Sequence, residues 1–393
     1  IFGIPVLLKD NIGVEGMATT AGAVALQENY TDNAFIAERL LEKGAIIIGK
    51  ANLSEWAYFF CNDCPSGYSA MGGQTLNPYG RFEFGTGGSS AGSGASTAAN
   101  YATVAVGSET SGSILSPASA NSLVGLKPTT GSLSRTGVVP ISASLDTTGP
   151  MTRSVADVVV LFNSMAGYDQ DDLAMPLISD DLQLIYRETS LAEKRLGVID
   201  RYADNAFYNN ALSVLSANNA ELIDLSFNPS RQPQFTEFLG AEMVRDLALY
   251  LSKNAADQVE IHSITELQAF NNVELEVRAP YGQGLIDMMT ELNYNETELE
   301  ELRAELQAWG REILDRTFIE SNLDVLVGVN NHQAGIAALA NYPALTIPMG
   351  YEENGRPIGL TLIAPPFQEQ LLIDIGAQFE KLTQARRIPS KYQ

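Results

Sequence analysis

The sequence predicts an α/β protein with a mixed, largely central β-sheet covered by helices on both faces. Three observations carry this. Short apolar runs of strand length recur along the chain, and segments with helical apolar spacing separate them. The composition, 45% hydrophobic and 18% charged over 393 residues, is that of a globular chain able to bury a large core. Alternation of this kind resolves into layers of helix packed on sheet.

Residues 4–8 form an apolar strand that ends in Lys9-Asp10-Asn11. Residues 33–43 have helical spacing, with Phe35, Ile36, Leu40 and Leu41 on one face, and Gly44 stops the helix. Residues 45–48, A-I-I-I, read as a strand buried on both faces. A stretch dominated by Gly, Ser, Ala and Thr covers residues 85–128. It is no linker, because residues 93–102 are Ala-rich and helix-forming and residues 103–106 are a β-branched strand candidate. Its glycines flank two hydroxyl clusters, Ser89-Ser90 and Ser111-Gly112-Ser113, as in a folded strand–loop–helix site that presents serines.

Further on, Ser154 introduces a buried helix over residues 155–165. Strands follow at 196–199, 222–225, 323–329, 344–349 and 358–363, and residues 369–382 close as a helix. Residues 229–318 are helical and more polar, a mostly helical insertion within one domain spanning 1–393. Within it, residues 297–316 read as an outer helix that packs its leucines on the domain.

The formal charge of −23 argues against nucleic acid or an anionic membrane as a direct partner. No apolar run reaches the roughly 20 residues of a spanning helix. The chain opens directly on an interior strand, so a segment is expected before it, and its compartment stays open. Cys61 and Cys64 form a lone C-x-x-C with no second pair to complete a zinc site, which leaves two ordinary packed or loop thiols. No metal and no cofactor are expected.

Three patterns bear on chemistry. Gly44 to Lys50 fits G-x-x-x-x-G-K, but Ala51 stands where a P-loop needs Ser or Thr, and A-I-I-I makes a strand rather than a phosphate cradle. Gly88-Ser89-Ser90-Ala91-Gly92 fits the G-x-S-x-G nucleophile elbow, with Ser90 as nucleophile and His332 as the base in suitable chain order. The strand that motif needs is poorly supplied by the residues before it. The third pattern is a serine activated by a lysine. Lys9, at the end of an apolar strand, serves if burial keeps it neutral, although Asp10 beside it could form an ion pair instead.

The residues resemble the amidase signature family of serine hydrolases over most of the chain. The resemblance lies in G-I-P-V-L-L-K-D-N (residues 3–11), G-K-A-N-L-S-E-W-A (49–57), G-G-Q-T-L-N-P-Y (72–79), G-G-S-S-A-G-S with G-S-E-T-S-G-S-I-L-S-P-A, V-G-L-K-P-T and S-L-D-T-T-G-P-M-T-R-S-V-A-D (144–157). N-Y-P-A-L-T-I-P-M-G and P-I-G-L-T-L-I-A extend it toward the C-terminus. The second and third motifs look most like peptide-amidase-type members. The resemblance implies the amidase signature fold, with the family's usual N-terminal helical segment expected to be missing from these residues. It implies a Ser–cis-Ser–Lys triad with Ser113 as nucleophile, Ser89 as the relay on a non-proline cis peptide, and Lys9 as base. It also implies an oxyanion hole from the backbone N–H groups of Thr110, Ser111, Gly112 and Ser113, with Asp146 in support.

The sequence departs from the common pattern at Ser111, where many members have Gly, at Leu115, where an arginine often stands, and at Ala91, where Gly or Ser is usual. None of the three triad positions is changed. The implied reaction is hydrolysis of a small-molecule or peptide carboxamide through an acyl-enzyme. The alternative is the glutaminase subunit of a tRNA-dependent amidotransferase. A monomer or homodimer is expected. Phe59, Phe60 and Asp63 are expected near the pocket mouth, and Asn330 to His332 with Tyr342 along the acyl pocket.

Overall fold

The structure, a computed structural model, describes residues 1–175, 182–230 and 232–392. Its strands are β1 (Pro5–Lys9), β2 (Ile46–Ala51), β3 (Tyr68–Ser69), β4 (Gly73–Gln74), β5 (Val104–Glu109), β6 (Val124–Lys127), β7 (Thr147–Thr152), β8 (Arg195–Ile199), β9 (Glu221–Leu225), β10 (Val325–Val329), β11 (Ala344–Tyr351) and β12 (Pro357–Ile363). Its helices are α1 (Phe35–Glu42), α2 (Ala91–Ala98), α3 (Leu115–Ala120), α4 (Val155–Met165), α5 (Ala206–Ala217), α6 (Phe235–Lys253), α7 (Ile264–Val273), α8 (Leu275–Arg278), α9 (Gly284–Glu291), α10 (Glu296–Glu320), α11 (Ala334–Ala340) and α12 (Glu369–Thr383).

Ten strands form one sheet in the order β2-β1-β5-β7-β6-β11-β12-β10-β8-β9. Pairing is parallel at both ends, among β2, β1 and β5 and among β10, β8 and β9, and antiparallel through the middle. Both faces are covered, and β11 shows how. Thr346 turns toward α3, where its hydroxyl meets Ser119 Oγ at 2.8 Å. Leu345 and Ile347 turn the other way, onto the surface that α12 presents at Gly376.

The sheet explains which strands the apolar pattern reveals. β5 and β10 are buried along their whole length, and β10 and the first half of β5 read as apolar runs. β6 and β7 are equally buried but carry V-G-L-K and T-T-G-P-M-T, which show no apolar alternation. The expectation that residues 45–48 lie buried on both faces is corrected. β2 is the edge of the sheet, and Ile46 and Ile48 are 53% and 45% exposed. Helix α4 begins at its expected cap, where Ser154 Oγ accepts the N–H of Asp157 at 3.2 Å.

Helices α6 to α10 enclose a second apolar core, in which Phe238, Met243, Leu247, Leu302 and Leu306 pack with Trp56, Phe59 and Phe60. Asn295 opens α10 with a reciprocal capping box to Glu298, and the helix buries Leu299, Leu302, Leu306 and Leu314 against the body. Cys61 and Cys64, expected as free thiols, form a disulfide, since the intervening turn brings their Cα atoms to 5.6 Å. No described helix is long and apolar enough to cross a membrane.

Candidate active site

The site forms where β1 and β5 run parallel in the sheet, below the loop that leads from β5 into α3. Lys9 is the last residue of β1 and has no solvent exposure. Its Nζ donates to Ser89 Oγ at 2.6 Å, to Ser108 Oγ at 2.9 Å and to the Ser108 carbonyl at 3.1 Å. Burial lowers the Lys9 amine to about pKa 7, against the upward pull of Asp146 and Glu109. Asp10 does not pair with Lys9. It pairs with Lys50 at 3.3 Å and binds the Thr20 hydroxyl. Lys50, the lysine of the P-loop-like pattern, is held on the other side by Thr19 Oγ1 at 2.9 Å.

The two serine clusters converge by backbone bonding. The Gly88–Ser89 peptide is cis. The Ser90 N–H donates to the Ser113 carbonyl at 3.1 Å, which sets Ser113 beside the Ser89-Ser90 turn. Ser90 itself is committed to structure, since its Oγ donates to the Ser108 carbonyl at 3.0 Å and accepts the Ser108 N–H at 3.2 Å. Gly87 and Gly112 are the glycines this approach requires. Gly87 has φ +64° and a Cβ there would stand 2.7 Å from the backbone of Ser116 and Pro117; Gly112 has φ +88° and a Cβ there would stand 3.0 Å from Asn331 Nδ2.

The loop that carries Ser113 is folded around a buried carboxylate. Glu109 Oε1 accepts the Gly112 N–H at 2.7 Å, and Oε2 accepts those of Ile114 at 2.7 Å and Leu115 at 3.0 Å. The expected oxyanion donors are therefore narrowed. The Gly112 N–H is taken by Glu109, while among the described residues those of Thr110, Ser111 and Ser113 meet no protein acceptor. Asp146 receives the Thr110 hydroxyl on one oxygen and the N–H groups of Ile141 (2.8 Å) and Ser142 (2.9 Å) on the other. Burial raises its carboxyl to about pKa 6.

Three residues of the site escape motif reading: Asn11, Ser108 and Glu109. Asn11 Nδ2 donates to Ser108 Oγ at 2.9 Å, so Asn11 and Ser108 together fix the underside of Lys9. Asn11 and Glu109 stand inside quoted motifs, and Ser108 is the serine of G-S-E. Only the β1–β5 register, Leu8 opposite Val106, shows that they meet.

The outlying expectations fare differently. His332 and Ser111 line a cavity of about 370 Å³ above the loop, together with Arg201, Phe235, Trp309 and Ile336. His332 Nδ1 lies 3.1 Å from Tyr202 Oη, not against Ser90. Tyr342 is buried away from this cavity, its ring packed on Phe318 and its hydroxyl donating to Asp315. Phe59 and Phe60 are 8% and 2% exposed within the second core, leaving only Asp63 of that group on the surface. Among the described residues no cluster of His, Cys, Asp and Glu could hold a metal ion.

A family model described as Amidase matches residues 1–328. The chain is 34% identical over 410 residues to a probable amidase of Arabidopsis thaliana, covering 99% of this chain and 78% of that protein. It is 31% identical to a glutamyl-tRNA(Gln) amidotransferase subunit of Caldanaerobacter subterraneus, covering 96% and 82%. Among solved structures, an amidase family protein from Bacillus anthracis superposes with TM-score 0.94 at 36% identity, over 99% of this chain and 79% of that one. The peptide amidase of Stenotrophomonas maltophilia superposes with TM-score 0.88 at 35% identity, over 99% and 84%. The chain belongs to the amidase family, hydrolases of carbon–nitrogen bonds in linear amides.

Proposed function

We propose that the protein hydrolyses a carboxamide of a peptide or small molecule through an acyl-enzyme on Ser113, with Ser89 as proton relay and Lys9 as base. The observation that carries this reading is the 2.6 Å contact between a fully buried lysine amine and Ser89 Oγ. A neutral amine has two N–H groups and one lone pair. The carbonyl and hydroxyl of Ser108 take the two N–H groups, which leaves the lone pair to accept the Ser89 proton.

In the proposed reaction Ser113 Oγ attacks the amide carbonyl and gives its proton to Ser89, which passes its own to Lys9. The oxyanion is held by the N–H groups of Ser111 and Ser113, each such donor being typically worth about 3–4 kcal/mol of barrier. The lysinium returns a proton through Ser89 to the departing amine, and water then hydrolyses the ester. Asp146 holds the loop of residues 141–142 against Thr110 and sets a negative charge within reach of Lys9. We read the chain as one domain over 1–393 with 229–318 as a helical insertion, a reading supported by β10, which follows the insertion and pairs with β8, which precedes it.

The 31% identity to a glutamyl-tRNA(Gln) amidotransferase subunit supports a second reading, release of ammonia from glutamine for a partner. The test is fluorophosphonate labelling with peptide mapping, followed by assay on peptide amides, alkyl and aryl amides, and glutamine without partners. Label on Ser113, with activity reduced by about 10⁶-fold in Ser113→Ala, is expected. Label on Ser90, or activity that survives Ser113→Ala and is lost in His332→Ala, would overturn the lysine mechanism. Activity that appears only when partner proteins are added would favour the second reading.

A further inference from the structure

We infer that the cavity beside Ser111 selects amides that carry a carboxylate on the arm beyond the scissile group, and that Arg201 and His332 are its specificity residues. This rests on Ser113 as the nucleophile and adds the class of substrate.

One hydroxyl organises this end of the cluster. Arg201 Nη2 donates to Tyr202 Oη at 2.6 Å, and Gln333 Nε2 donates to the same oxygen at 2.8 Å. A phenol oxygen so occupied as an acceptor has its proton left to give, and the acceptor in place is His332 Nδ1 at 3.1 Å. His332 is thereby fixed as the tautomer that carries its proton on Nε2, and it lines the cavity as a hydrogen-bond donor. Burial and the neighbouring Arg201 both lower its pKa, in keeping with a neutral ring.

Arg201 is placed by the same cluster. Its guanidinium stacks on the Tyr202 ring at 4.8 Å and touches Asn228 Oδ1 at 3.3 Å. Among the described residues it has no carboxylate partner, in a protein whose net charge is −23. No described residue lining the cavity is acidic. The remaining walls combine apolar side chains, Phe235, Trp309, Ile336 and Leu339, with the polar Ser230 and Gln232. The cavity thus offers a cation, a neutral donor and several apolar side chains in one lining, next to the loop of Ser113. A guanidinium and an N–H donor in one cavity without a counterion fit a carboxylate, and the apolar side chains fit an aromatic or branched body between it and the amide.

The experiment compares acetyl-, succinyl- and glutaryl-phenylalaninamide, with cationic β-alanyl-phenylalaninamide as the opposite charge. In the wild type the better of the two acidic arms should exceed the acetyl substrate in kcat/KM by about tenfold or more. Arg201→Gln should bring that ratio close to one, and Arg201→Glu should turn the preference toward the β-alanyl substrate. His332→Phe should reduce the acidic preference by a smaller factor. Equal acidic-to-acetyl ratios in the wild type and Arg201→Gln, or no change of sign in Arg201→Glu, would overturn the inference. Labelling of Ser113 and Ser113-dependent hydrolysis of the acetyl substrate are read separately. Their loss would remove the proposed mechanism, while their presence without an acidic preference would remove only the arm selectivity.

Discussion

Two buried lysines stand on neighbouring parts of the same sheet, Lys9 at the end of β1 and Lys127 at the end of β6. Neither has any solvent exposure. Burial pushes both amines down, Lys9 to about pKa 7 and Lys127 to about 8, with Glu109 pulling both upward. Their partners differ. Lys127 Nζ donates to the Tyr342 carbonyl at 2.8 Å and faces the charges of Glu109 and Glu369. That carbonyl can only accept, so the ammonium form suits it and no proton has anywhere to go. Lys9 faces Ser89 Oγ, which both accepts and donates. A low pKa therefore arises wherever a lysine is dry, and the proton-carrying neighbour is what separates a candidate base from a structural cation.

The contrast can be broken by experiment, and its largest expected effect is on catalysis. Lys9→Met should lower kcat/KM by roughly 10²–10⁴-fold in protein that still folds, the usual worth of a general base. Lys127→Met should act on stability instead, costing about 1–3 kcal/mol for the orphaned Tyr342 carbonyl and the two carboxylates left without a cation. Thermal unfolding and kcat, measured on the same folded preparations, should separate the two substitutions. If Lys127→Met removed activity from folded protein as completely as Lys9→Met, the distinction would be lost.

The smallest expected effect sharpens the electrostatics. Only the unprotonated amine of Lys9 can accept from Ser89, so activity should fall as pH drops through about 7. The charge of Asp146 raises the Lys9 pKa, so Asp146→Asn should move this acid limb to lower pH, by roughly half a unit. Asn keeps the geometry, since one oxygen can still accept the N–H groups of Ile141 and Ser142 while its amide donates to Thr110 Oγ1. A limb that moved upward, or stayed fixed while kcat collapsed, would show that Asp146 acts through packing and not through charge.

Much of this centre was legible in the sequence because serine, lysine and glycine recur there in long ordered motifs. The motifs alone propose Lys9, Ser89 and Ser113, without reference to the sheet. What could not be read was adjacency. Ser108 and Asn11 matter because β1 and β5 lie side by side, a fact of strand order that periodicity does not contain. Strands β6 and β7 leave no apolar signal for a related reason: their threonines, glycines and lysine are buried by hydrogen bonding and close packing, not by apolarity. β2 shows the reverse, since its three isoleucines suggest an interior strand and the topology makes it an edge. Tyr342 stands in a family-like motif, yet its position is set by packing on Phe318 and by the carbonyl it gives to Lys127.

The order of the sheet also fixes when the molecule can be finished. The strands nearest the site, β2, β1, β5, β7 and β6, all lie within the first 152 residues, yet β6 stays an unpaired edge until β11, residues 344–351, arrives beside it. Helix α11, which meets the serine loop at Gly112 through Ala334, also emerges late. On a ribosome that makes chain at about 5–20 residues per second, the half that holds Lys9 and the serines waits tens of seconds for its second half. During that wait its exposed edge is open to pairing with another chain. Completion of the enzyme is thus governed from its last strands, and a nascent chain released before β11 would carry every proposed catalytic group and no finished sheet to hold them.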